Sequence, residues 1–297
     1  MQEKIIPWII GGLFLFTFSL HAQEDDLMKI LEENQPKKKE FTSATFKTTR
    51  LVNFHTLETV GRRSLDFRIA HRFGDINSGA YNAWGIDGPA NIKLSLEYSY
   101  DGRLMFGIGR SSYEKMVDVF AKFRLIRQTV DNKIPLSVTL FSGMYENRQK
   151  TSSANPSDNK YVNELNRLSY VHQIIIGRKF SPNFSFQLAP TYVHFNLVDK
   201  STDQNDIFAI SCATRIKYTK RQAITFEYCY RINKYSETRY YDSMGIGWEV
   251  ETGGHVFQIH VTNSFGISES QFIPATRTSW SNAGIRIGFN ISRVFTI

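Results

Sequence analysis

Residues 90–111 read Ala90-Asn91-Ile92-Lys93-Leu94-Ser95-Leu96-Glu97-Tyr98-Ser99-Tyr100-Asp101-Gly102-Arg103-Leu104-Met105-Phe106-Gly107-Ile108-Gly109-Arg110-Ser111. Ile92, Leu94, Leu96, Tyr98 and Tyr100 occupy every second position, and Asn91, Lys93, Ser95, Glu97 and Ser99 fill the positions between. Successive side chains of a strand point to opposite faces, so this period of two makes a strand with one greasy and one polar face. Asp101-Gly102 then supplies a tight two-residue hairpin turn, in which positive φ costs glycine nothing. The chain resumes with Leu104, Phe106 and Ile108 to one side and Gly107, Gly109 and Ser111 to the other.

The same alternation extends to both sides of this hairpin. It predicts strands at 64–73, 90–100, 103–112, 115–128, 134–147, 166–180, 183–196, 206–218, 221–232, 240–250, 254–264 and 282–295. That makes twelve, with lengths near or above the roughly 9–11 residues that a tilted strand needs to cross a bilayer. The links sort by length. Asp101-Gly102, 131–133, 181–183, 219–221 and 252–254 are short, whereas 74–89, 148–165, 197–205, 233–239 and 265–281 are long; Tyr113-Glu114 is the short exception. Tight turns on one rim and long loops on the other mark an outer-membrane barrel, with the short turns periplasmic. An even strand count brings both ends of the barrel to that rim. The expected fold is all-β: a transmembrane antiparallel up-and-down β-barrel of about 12 strands, with a short N-terminal periplasmic segment, in the cell outer membrane.

Composition excludes several rivals and leaves a large globular domain, which the order of strands and links argues against. With 23 Phe, 14 Tyr and 4 Trp the chain has too much to bury for disorder, and two cysteines cannot staple a disulfide scaffold. After the first twenty positions there is no run of roughly 18 apolar residues, which rules out a bundle of membrane helices. The negative mean hydropathy suits one-sided strands, half of whose residues are polar. The apolar residues are then mainly a lipid-facing band rather than a buried core. Tyr98, Tyr100, Tyr192, Tyr218, Tyr228, Tyr230, Tyr240, Tyr241 and Trp248 fall near predicted strand ends, where an aromatic girdle meets the lipid interface.

The residues ahead of the barrel read differently. Ile5–Leu20 is apolar, follows Lys4 and precedes Ala22, so residues 1–22 are expected to be a signal peptide cut after Ala22. Residues 23–63 form a tail, periplasmic or luminal. In it Leu27, Ile30 and Leu31 mark about two helical turns at most. Phe41–Arg63 alternates poorly around Asn53-Phe54-His55, which leaves an extra strand, a luminal strap or a periplasmic extension open. A thirteenth strand would carry the N-terminus outside, so the barrel is assigned to 64–297.

Charge is costly in lipid, so the polar faces belong inside. Arg68, Arg72, Lys93, Glu97, Asp118, Lys122, Arg124, Glu227, Arg231 and Arg286, with Asp66, are expected to line the lumen, joined by His260 on the Gln258/Thr262 face. Both signs occur, which favours an internal salt-bridge network over a selective ring. Seven of those eleven charges are basic, a mild bias towards anions. The net charge of +8 suits outer-membrane lipid and lipopolysaccharide as surroundings. No nucleic-acid partner is expected, because the basic residues are dispersed and no reading motif occurs. Cys212 falls on the apolar set of one predicted strand and Cys229 on the polar set of the next, so two unpaired thiols are expected. No histidine spacing suits a metal, no Gly-x-Ser-x-Gly context marks a nucleophile, and Asp75–Gly79 lacks the closing acid of a calcium loop. No enzymatic activity, metal or cofactor is expected.

His71-Arg72-Phe73-Gly74, Asn77-Ser78-Gly79, Gly107–Ser112, Glu251–Phe257 and Gly288–Phe295 resemble the uncharacterised Bacteroidota outer-membrane β-barrel family, domain-of-unknown-function family 5777. The likeness runs from about Phe41 to the terminus. It implies a barrel at the outer membrane and assigns no activity. The last strand closes on Phe295, which resembles the signal that barrel-assembly machinery recognises in its clients. Two functions from different classes remain. One is a narrow passive channel or transporter for small polar solutes. The other is a filled-lumen barrel with a structural or partner-binding role in the cell envelope, with a barrel lipase a distant third.

Overall fold

The protein is described from a computed structural model covering residues 39–150, 161, 163–198, 203–235 and 240–297. The signal peptide, its cut after Ala22 and the Leu27–Leu31 stripe lie outside the described residues. The strands are β1 (Ser64–Asp75), β2 (Asn91–Ser99), β3 (Leu104–Ser111), β4 (Val117–Ile126), β5 (Ser137–Glu146) and β6 (Leu168–Lys179). They continue with β7 (Phe184–Phe195), β8 (Asp206–Lys217), β9 (Gln222–Arg231), β10 (Met244–Thr252), β11 (His255–Thr262) and β12 (Arg286–Thr296). Each pairs antiparallel with its neighbours in the chain, and β12 returns to pair with β1, from Ser64↔Thr296 to Asp75↔Arg286. The sheet is a closed twelve-stranded up-and-down barrel. Closure matters because an open edge would leave backbone N–H and C=O groups unpaired in hydrocarbon. Among the described residues no helix is long and apolar enough to cross a membrane.

The burial pattern is that of a soluble protein turned inside out. On β2, Asn91, Lys93, Ser95, Glu97 and Ser99 are buried, while Ile92, Leu94 and Leu96 are 41–45% exposed. The turn after β2 holds Gly102 at φ +79, as the Asp-Gly signal requires. Gly107, opposite Glu97, faces the lumen where a Cβ would lie 2.2 Å from the Phe120 ring, so an absent side chain makes room for that aromatic.

Two expectations need correction. The strand expected from 240 begins at Met244, because Tyr241 pairs instead with Thr276 of the long β11–β12 loop. Tyr240 therefore belongs to the outer mouth and meets the Tyr235 ring edge to face, rather than joining a lipid girdle. The strand expected from 282 begins at Arg286, since Ala283 ends a 3₁₀ turn with φ 55. The apolar residues are mainly the outward band, as expected, and a smaller set forms a core within the barrel. Val171, Ile175, Val193, Ile207, Ala209 and Ala213 point inward on β6–β8, and they belong to a buried core inside the barrel. The run Ile174-Ile175-Ile176, apolar on both faces, carries that signal in the sequence.

Candidate functional site

Residues 41–63 enter the barrel as a strap. Phe41 bridges Thr129 at the periplasmic rim, and the chain rises to Arg50, turns through Leu51–Phe54 and returns to β1. The turn is closed by Leu51 N–H to Phe54 O at 2.9 Å and Thr56 N–H to Thr49 O at 2.8 Å. Leu51 to Thr56 are each at most 3% exposed, so the tip is as buried as any protein core.

Two sectors of wall hold it. On the apolar side Phe46, Leu51, Phe54, Leu57 and Val60 pack in one cluster with Phe120, Phe141, Val171 and Ile175. Burial of a large apolar side chain is worth about 1.5–3 kcal/mol, and no period of two is needed to obtain it. On the polar side the wall hydrogen-bonds the strap's backbone. Glu227 accepts from the N–H of Asn53 at 2.9 Å and of Phe54 at 3.2 Å. Arg72 donates to Val52 O at 2.6 Å, and Lys122 to Thr56 O at 2.7 Å and Glu58 O at 2.6 Å. Gln187 donates to His55 O and Asn290 to Leu51 O. Every turn of an irregular segment needs such partners, since buried amides without them are costly.

A second element descends from the outer side. Within the long β11–β12 loop, α1 (Glu269–Ala275) is buried in the barrel. Ser268 and Gln271 form its capping box, with the Ser268 N–H donating to Gln271 Oε1 at 3.4 Å. Strap and helix meet at mid-lumen. The Arg50 guanidinium lies 2.6 Å from Glu269 Oε1, Tyr145 OH donates to Glu269 Oε2 at 2.6 Å, and the Phe54 and Phe272 rings are 5.1 Å apart.

The residues expected in the lumen are placed as follows. Arg68 contacts Asp66 at 3.5 Å and Thr49, Glu97 accepts from Thr49 at 2.5 Å, and Lys93 pairs with Asp118 at 2.6 Å. Arg124 pairs with Glu58, Arg231 with Asp242 at 2.9 Å, and Arg286 with Asp75 at 2.8 Å. Arg231 also donates to Pro274 O, so it holds the end of α1. His260 is buried beside Gly288, where a Cβ would lie 2.4 Å from its Nε2. These charges are thus joined in pairs and to the strap, with no ring of like sign. Cys212 is half-buried and Cys229 buried, both free, and their register partners are Tyr228 and Ser211. Phe295 is 40% exposed on the outer face, opposite Leu65.

Sequence reading missed Arg50, Asn53 and Glu58 of the strap and Glu269 of α1, which tie the strap to the helix and the wall. Two signals were available. Ser268-x-x-Gln271 is a helix start, and Ile267, Phe272 and Ile273 are too apolar for an exposed loop. A cavity of about 380 Å³ lies above α1 at the outer mouth, lined by Tyr113, Arg167, Tyr235, Tyr240, Phe272 and Arg286. Burial and the nearby Glu114 carboxylate push the Tyr113 phenol upward. A second cavity, about 620 Å³, opens at the periplasmic mouth beside Lys47, Glu58, Arg221, Glu251 and His255. Among the described residues no group of three or more His, Cys, Asp or Glu side chains could hold a metal ion.

Several solved structures of outer-membrane proteins are similar to this chain at low identity. A KdgM porin is 8% identical with a TM-score of 0.46, covering 79% of this chain and 99% of that one. An outer-membrane channel from Pseudomonas putida F1 is 12% identical with a TM-score of 0.43, covering 80% and 98%. Outer membrane phospholipase A from Escherichia coli is 12% identical with a TM-score of 0.41, covering 79% and 91%. No curated protein matches the sequence. The family model of the membrane-bound β-barrel domain DUF5777 matches residues 46–295, from the strap to the last strand, and the chain belongs to that family as a β-barrel of the outer membrane.

Proposed function

We propose that this barrel is a narrow passive channel for small polar solutes, closed at rest by its own strap. The observation that carries the reading is the pair of cavities at opposite mouths, with the strap tip and α1 standing between them at the Arg50–Glu269 contact. Both obstructions are additions to the wall, because β12 closes on β1 without them. Displacement of the strap leaves the sector of Arg68, Arg72, Lys93 and Lys122 facing the path, a surface that water and anions wet readily. The reading is non-enzymatic. We further assign recognition by the assembly machinery to β12, whose outward Phe295 lies one residue before its end.

The test is solute flux into proteoliposomes, measured by swelling in small sugars. Wild-type protein should pass them slowly, and a variant lacking residues 41–60 should pass them quickly with a sharp size limit. A folded deletion variant that passes nothing would return the barrel to a filled-lumen structural role. Phospholipid hydrolysis that disappears on replacing one serine or histidine would restore the enzyme reading.

A further inference from the structure

The outward faces of β5 to β8 carry a polar strip on a mostly apolar wall, where His71 on β1 is another outward imidazole. Ser142 on β5 and His172 on β6 are opposite each other in the pairing, and both are exposed. They are not rim residues: each lies four positions inside the outer end of its strand. The His172 ring stacks on Tyr192 with centroids 6.1 Å apart. Among the described residues neither its nitrogens nor the Ser142 hydroxyl has a hydrogen-bond partner. An imidazole carries an N–H in either protonation state, so two donors face hydrocarbon without acceptors. Such groups are costly in a membrane and mark a functional position.

Two further features surround them. Toward the outer rim the polar strip continues, with Tyr192 OH donating to Asp206 Oδ1 at 2.7 Å and His194 Nδ1 2.7 Å from the same oxygen. Asp206 keeps half of its side chain exposed. Beside the strip the wall is hollow. Small Ala121 and Pro190 lie among Phe123, Leu140, Ile174 and Phe208, leaving a concavity of about 630 Å³. Pro190 has no N–H to give, and the β6–β7 pairing is interrupted there, between Gln173↔Thr191 and Ile176↔Leu188.

We propose that this face holds one acyl chain of an outer-leaflet glycolipid of the lipid A type. The chain fills the hollow, and the ester or amide carbonyl at its head accepts hydrogen bonds from His172 and Ser142. Sugar hydroxyls then reach Asp206 at the rim. The wall offers donors at the depth of acyl carbonyls, which phospholipids also carry. The selection of an acylated sugar therefore rests on its hydroxyls, which the exposed Asp206 carboxylate accepts at the rim. The position in the outer half of the barrel selects the outer leaflet as the source.

The test uses full-length protein in mild detergent, titrated with purified lipid A and, in parallel, with phosphatidylethanolamine. Retained lipid is counted by native mass spectrometry and thermal melting is followed. Lipid A should be retained and raise the melting temperature, and phosphatidylethanolamine should do neither. His172→Leu should weaken retention about tenfold, the loss of one hydrogen bond. Ser142→Phe should fill the hollow and abolish retention, while melting without lipid stays as in wild type, because both positions face outward. Ile108→Phe on β3 should change nothing. Equal retention of both lipids, retention untouched by both variants, or a dimer formed through this face would overturn the proposal.

Discussion

Ile92, Leu94 and Leu96 on the outside of β2 and Lys93, Ser95 and Glu97 on its inside are neighbours in sequence but are held in place differently. The outer set meets lipid, which accepts any apolar side chain of suitable size, and none of the three side chains has a polar atom to pair. Each inner charge has a particular partner far along the chain: Lys93 has Asp118 and Ser268, and Glu97 has Thr49 and Arg50. The outside therefore requires only a period, whereas the inside requires partners. The strap follows the second rule too, since Arg72, Lys122, Gln187, Glu227 and Asn290 each bond the backbone of its tip, although both nitrogens of His55 have no hydrogen bond.

The largest expected effect breaks the inside at the buried pair where strap and helix meet. Arg50→Ala leaves Glu269 without its cation in the middle of the barrel, a change that typically costs about 3–5 kcal/mol. The strap's amides should lose most of their hydrogen-exchange protection while those of the twelve strands keep theirs. Next, Ile108→Lys puts a charge on the outer band, at a cost of about 2–4 kcal/mol near the bilayer midplane, read from urea unfolding in vesicles. Ile108→Leu at the same place should stay within about 0.5 kcal/mol. Gly288→Ala is the inner counterpart of that mild change and should not be mild. Its Cβ would lie 2.4 Å from His260 Nε2 and 2.5 Å from His71 O, an overpacking worth about 1–3 kcal/mol.

The smallest effect lies at a periplasmic turn. The N–H groups of Leu104 and Arg103 bond the Asp101 carboxylate at 2.7 and 2.8 Å and hold its pKa below the ordinary value. A depressed folded-state pKa stabilises above the unfolded value, and that contribution is lost as pH falls through the folded one. Asp101→Asn should therefore lower stability slightly at neutral pH, leave it nearly unchanged in acid and flatten the acid limb between, as measured by unfolding across pH 2–7.

This contrast also explains what could be read in advance. The wall was legible because alternation is local: Ile92 to Tyr100 and the Asp101-Gly102 turn reveal strand, face and hairpin without knowledge of any partner. Periodicity also pointed inward for Arg68, Lys93 and Glu97. It could not find the strap, where Leu51, Asn53 and Phe54 are buried on all sides and keep no period, because their environment is assembled from β1, β9 and β12. It placed Glu269 in a loop for the same reason. Where a wall face is apolar inside as well, as at Val171 and Ile175, alternation weakens, and the strap is the reason.

The central claim is that the strap tip lies folded inside the barrel, and thiol accessibility tests it most directly. Phe54→Cys and Tyr81→Cys would each be placed in a background carrying Cys212→Ser and Cys229→Ala, then exposed to a bulky, water-soluble maleimide in intact vesicles. Tyr81, 95% exposed in an outer loop, should react at once, and residue 54 should react only after unfolding. Equally fast modification at residue 54 in the folded protein would contradict the account.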